Sequence, residues 1–221
     1  MTMTEEHDGR ALRALRDGAA SVRLRAALAV GTAPDPAAVG PLVERCAVEP
    51  DFSVREMLTW ALTRLPASVT VPVLVGEVRA GGAQARSQAL HTLSKIQDRR
   101  AWPVITPELL SDADDEVARS AWRAAVVLVP EGQEHDLAAG LAGQLGRGGR
   151  ETRLSLSRAL IALGEATLPA LHAATGHPDA GVREHAVATD RLRRDPDAGF
   201  AHAVEEARRI VALGGGGREE R

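Results

Sequence analysis

Aromatic residues make up 2% of this 221-residue chain, and tyrosine is missing altogether. A core for so long a chain must therefore come from Leu, Val and Ala. Ala is the strongest helix former, and its small side chain lets helices approach closely. Cysteine occurs once, at Cys46, so no internal disulfide can form and nothing points to an oxidising compartment. With no histidine beside it, Cys46 reads as a small buried residue. Lysine also occurs once, at Lys95; the net charge is −3 and the pI near 6.2. A protein that grips nucleic acid by its backbone needs a basic excess to displace condensed counterions, so this balance argues against a nucleic-acid partner. No run reaches the roughly 20 apolar residues of a membrane helix. The polar, acidic stretch Met1–Arg10 lacks the apolar core of a signal peptide. The expected setting is cytoplasmic.

What is present is a repeat. In Asp51–Leu65 the residues Val54, Leu58, Ala61, Leu62 and Leu65 share one helical face. A Val-Arg pair stands at its front, and variants return down the chain. The arginines Arg23, Arg55, Arg86, Arg119, Arg153 and Arg183 are 30 to 34 residues apart. A proline ladder runs beside them: Pro41, Pro72, Pro103 and Pro169, each before a short apolar run. Proline is tolerated in a helix's first turn, so each is expected to start the first helix of a pair. The two ladders divide the chain into pairs at Glu5–Val30, Asp35–Leu65, Ser68–Ile96, Arg100–Val129, Gly132–Leu163 and Glu165–Arg193. A helix over Ala198–Leu213 would cap the stack with Phe200, Ala203, Ala207, Ile210 and Val211 inward. The expected fold is all-α, an α-α superhelix of about six helix pairs and a C-terminal capping helix. Residues 1–213 form one solenoid in this reading, and residues 214–221 a disordered tail.

Asp51 with Arg55, Asp115 with Arg119, and Asp179 with Arg183 are each spaced i,i+4. Such an Asp can cap free N–H groups and pair with the Arg one turn on. The competing reading is an arginine row that binds anions.

The pattern Asp-x-x-Val-Arg-x-x-x-x-x-Ala-Leu at Asp51–Leu62, with weaker copies at Ala83–Leu93 and Asp179–Ala188, resembles HEAT-like repeats. The chain looks like bacterial HEAT-repeat proteins whose repeats are related to those of phycobilisome lyases. The resemblance implies a right-handed superhelix of helix pairs, second helices on the concave side, and partner binding in place of one reaction. The chain departs from the pattern in the fifth pair, which lacks the proline, and at Ala85-Arg86, where valine is lost.

With the Val-Arg valine inward, helical phase turns Trp60, His91, Ala124, Arg158 and Ala188, and one turn later Thr63, Ser94, Val127, Ile161 and Arg191, away from the core. The expected partner groove comprises Glu56, Thr59, Trp60, Thr63, His91, Ser94, Lys95, Arg123 and Arg158. Its mixed polarity suits a peptide or protein and lacks the Lys/Arg and aromatic alternation of a strand-binding groove. Trp60 is either a binding anchor or packed on the next repeat near Gln88 and His91; Trp122, in register with Leu58, is core. No histidine pair has metal-ligand spacing, so no metal or cofactor is expected. The leading expectation is a non-catalytic protein-binding scaffold. Two catalytic alternatives occur on HEAT-like arrays: a DNA glycosylase-like protein, for which Trp60 and Glu56 are the one nameable pair, and a bilin lyase-like protein.

Overall fold

In a computed structural model of the chain, which describes residues 3–215, the architecture is all-α, and no strand occurs among the described residues. The helices are α1 (Met3–Ala14), α2 (Ala20–Thr32), α3 (Val39–Val48), α4 (Phe52–Thr63), α5 (Ala67–Ala80), α6 (Ala83–Ile96), α7 (Pro107–Leu110) and α8 (Asp115–Leu128). They continue as α9 (Glu134–Ala142), α10 (Arg150–Ala162), α11 (Leu168–Ala174), α12 (Ala180–Arg194) and α13 (Phe200–Gly215). The chain groups into two compact units, one of Met1–Leu109 with Glu116–Leu128, the other of Leu110–Asp115 with Val129–Arg221.

In the first unit the consecutive helices of each pair pack on each other: α1 on α2, α3 on α4, α5 on α6. Second helices then pack in series, α2 on α4 and α4 on α6, and α3 lies against α5 and α6. Helices joined by such short connections form hairpins, and no hairpin can bury its own apolar stripe alone. The stripe read from Asp51–Leu65 is all core: Val54, Leu58, Ala61, Leu62 and Leu65 are buried. Each fully buried leucine contributes about 2 kcal/mol. Trp122 is enclosed, as its register requires, and Cys46 is buried. The second unit repeats the plan, with α10 on α12, α9 on α11, and α13 closing against α12.

Three features depart from the expected layout. Pro72 does not start a helix; it is the sixth residue of α5, which begins after Pro66. In the fourth pair the first helix is reduced to a 3-10 turn, Arg99–Val104, and the four-residue α7. Pro103 removes an N–H within the 3-10 turn, and Pro107 removes another and holds Thr106 out of the helical region, so the two stretches do not join into one longer helix. On α13, Ala203 and Ala207 are buried, but Ile210 is 40% exposed; the contact with α12 centres on Ala188, Ala203 and Ala207, with Val187, Leu192 and Val204 packed around them. Gly214 and Gly215 end α13, and the rest of the expected tail, 216–221, lies outside the described residues. No described helix is long and apolar enough to cross a membrane.

Candidate functional site

The arginine ladder is structural, but its partners are not the i,i+4 aspartates. Arg55 Nη1 donates to the carbonyls of Glu49 and Pro50 at 2.9 and 2.8 Å. Arg23 Nη1 does the same to Asp17 and Gly18 at 2.9 Å each, and Arg183 Nη1 to His177 and Pro178 at 2.7 and 2.8 Å. In all three the acceptors lie six and five residues back, in the connection between first and second helix. Arg153 makes a variant of this clamp on Gly146 and Gly148. The aspartates cap instead: Asp51 accepts from Val54 N at 3.0 Å and Asp179 from Val182 N at 3.1 Å. Asp115 is drawn to Arg147 (2.8 Å) and Thr152, while Arg119 pairs with Glu116 at 2.6 Å. At α4 and α12 one residue thus fixes the helix start and another the turn before it, and the arginines that make these clamps are spent within the fold.

The turn before α4 is the most heavily tied. Glu49, 0% exposed, receives Arg23 through two 2.7 Å bonds, Arg45 through a third, and Asp51 N at 2.9 Å. Burial alone would raise its pKa; the bonds from Arg23, Asp51 N and Arg45 outweigh it and hold Glu49 down at about 2. Gln84 of α6 donates to the carbonyls of Cys46 and Glu49, locking the next hairpin to this turn.

With that turn fixed, α4 presents a defined face. Trp60 is 38% exposed. Its ring lies on the bare backbone of Gly31 in α2. A Cβ at position 31 would stand 2.3 Å from Trp60 Cζ3 and 2.9 Å from Ala61 Cα, so only glycine admits the ring there. Glu56 is exposed one turn before Trp60, and Thr63 is exposed just after it. On α6, His91 Nε2 stands 3.3 Å from Glu56 Oε1. Burial lowers the His91 pKa, Glu56 opposes that, and Lys95 and Arg123 add to it. Ser94 is half-buried and Lys95 exposed. From α8, Arg123 Nη2 donates to Ser120 Oγ at 2.8 Å, and Ser120 Oγ meets Ser87 Oγ at 2.9 Å. Seven of the nine expected residues are therefore accessible on α4, α6 and α8 of the first unit.

The other two stand elsewhere. Thr59 is 3% exposed: Gln88 Nε2 donates to it at 2.9 Å, and Thr92 Oγ1 lies 3.4 Å away. It belongs to the seam between α4 and α6, because the neighbouring second helix covers the flank that helical phase alone leaves open. Arg158 is exposed on α10, in the second unit. Ala124 and Ala188, which the same phase turns outward, are both buried. Residues that sequence reasoning passed over are Gly31, Ser120 and Glu116. Ser87 and Ser120 are one repeat apart, as are Thr59 and Thr92, and that shared spacing is the signal that would have shown them as rungs between second helices.

The second unit holds a comparable seam. His185, 2% exposed, accepts from Gly146 N through Nδ1 at 3.0 Å, while Nε2 lies 3.0 Å from both Ser157 Oγ and Arg153 O. An acceptor at Nδ1 and a carbonyl at Nε2 require the neutral, Nε2-protonated ring. Burial lowers its pKa to about 4.

No protein-family model matches the chain, and no curated protein matches it. Among solved structures the chain is similar to the complex of CpcE and CpcF of phycocyanin lyase from Nostoc sp. PCC7120, at 16% identity and a TM-score of 0.39, over 92% of this chain and 94% of that one.

Proposed function

We propose that the protein is a non-catalytic scaffold that holds a protein partner on the face formed by α4, α6 and α8 of its first unit. The observation that carries the reading is Trp60. A large aromatic ring, partly exposed and seated on the backbone of Gly31, is pre-positioned and loses little side-chain freedom on binding. Around it stand Glu56, Thr63, His91, Ser94, Lys95 and Arg123, a polar rim about an apolar anchor, which is the usual anatomy of a protein interface. Polar groups elsewhere in the unit, the clamps and the seam, are occupied by the fold itself.

The test is affinity capture from the native host with the full chain and its Trp60→Ala variant. The expected result is a stoichiometric protein that the variant loses by tenfold or more, roughly the effect of removing a hot-spot tryptophan. Equal capture by both would remove α4 from the interface.

A further inference from the structure

Arg123 differs from the other half-buried arginines of this unit. Arg45 reaches a carboxylate, and Arg55 reaches two carbonyls. Arg123 has five donor hydrogens, and among the described residues its hydrogen-bond acceptor is one neutral hydroxyl, Ser120 Oγ. Burial and the neighbouring Arg119 both disfavour its charge. The surroundings share that shortage of acceptors. The Nε of Arg119 is buried without a hydrogen-bond partner, His91 has Glu56 as its acidic neighbour, and Lys95, close enough to depress His91, is exposed. Groups that are desolvated and under-bonded cost free energy that an incoming acceptor restores. A carboxylate would complete them, as Glu49 completes Arg23 and Arg45 in the same unit.

Resting on the reading that this face binds a protein, we infer that its partner offers an acidic segment: one Asp or Glu carboxylate set against Arg123 and Lys95, with an apolar side chain beside it on Trp60. Charge complementarity selects a carboxylate over a phosphate-rich polymer. Glu56 stands against His91 and Glu116 against Arg119, so of the cations Arg119, Arg123 and Lys95 and these two carboxylates one positive charge is left over, and the chain as a whole is at −3. Arg123 fixes the carboxylate as a planar fork; Lys95 adds a mobile charge at the rim.

The experiment is selection of random dodecapeptides displayed on phage against the full chain. The best sequences are then remade as labelled peptides and titrated against the wild type, Arg123→Gln, Lys95→Gln, the double variant, Trp60→Ala and the control Arg79→Gln. Expected are peptides enriched in Asp or Glu next to an apolar residue. Their affinity should fall about tenfold in Arg123→Gln and further in the double variant, while Arg79→Gln, on α5, changes it less than about twofold. Thermal melts matched to wild type establish that the variants are folded, and Lys95→Gln, at an exposed position, serves alone if Arg123→Gln is not. Peptides without acidic enrichment that still need Trp60 would overturn this inference and leave the scaffold reading standing. Peptides that bind without Trp60, or no selectable peptide at all, would overturn both.

Discussion

Two buried ionisable groups, Glu49 and His185, make the fold sensitive to acid in separate pH windows. The carboxyl of Glu49 is held at about 2, below its ordinary 4.5. Its contribution is complete above about pH 4.5 and is lost as pH falls towards 2. His185 is held at about 4, below its ordinary 6.5. The unfolded chain binds that proton first, so the His185 contribution is complete above about pH 6.5 and is lost on descending to about 4, roughly 3 kcal/mol in all. Urea unfolding measured from pH 7.5 to 3 should show stability falling across the histidine window before the carboxylates titrate. His185→Gln should be less stable at pH 7, having lost the bond from Gly146 N, but its stability should change less between pH 6.5 and 4. The slope should flatten without vanishing, since His91 is depressed too. An unchanged slope would show that the ring is not held neutral. Glu49 is the more exacting residue: in Glu49→Ala, Arg23 and Arg45 lose their shared carboxylate, and breaking such a pair costs on the order of 3 kcal/mol.

Helix starts and turns were the most legible level of organisation. The arginine and proline ladders mark six pairs because a repeated hairpin must place its turn chemistry at a repeated spacing. What the spacing could not show is which acceptor each arginine takes. The i,i+4 rule describes isolated helices, whereas here the preceding turn folds back within reach and offers two unpaired carbonyls. Thr59 was misplaced for a related reason: phase on one helix ignores the helix beside it, and α6 covers that side of α4. The shortened fourth pair followed from local proline geometry that overrides periodicity, whereas Pro72 is carried inside α5. Gly31 was invisible as a site because its role is to have no side chain. Gly31→Ala is the sharpest test at this scale. The added methyl meets the Trp60 ring and the α4 backbone at Ala61, so the variant should lose about 1–3 kcal/mol and show altered fluorescence from a displaced Trp60. Trp60→Ala in the same background should recover part of the loss, not all, because the Ala61 contact remains. A Gly31→Ala protein as stable as wild type would mean that α2 and α4 do not approach as described.

At the level of the whole chain, stacked hairpins tie buried polar side chains into their own turns and seams, and a face of the first unit brings an aromatic anchor and the under-bonded Arg123 together. The arrangement was only half readable from the sequence. Trp60, Thr63, His91, Ser94 and Lys95 follow from helical phase, but the acceptor shortage at Arg123 depends on which neighbours three helices bring to it. The central claim is that this face, and not the side of the first helices, meets a partner. Site-specific photocrosslinking in the native host tests it most directly, with a benzophenone side chain placed at Thr63 beside Trp60, or at Val73, exposed on α5. The account predicts a discrete protein adduct from position 63 that disappears with Trp60→Ala, and none from position 73. A discrete adduct from position 73 with none from position 63 would contradict it.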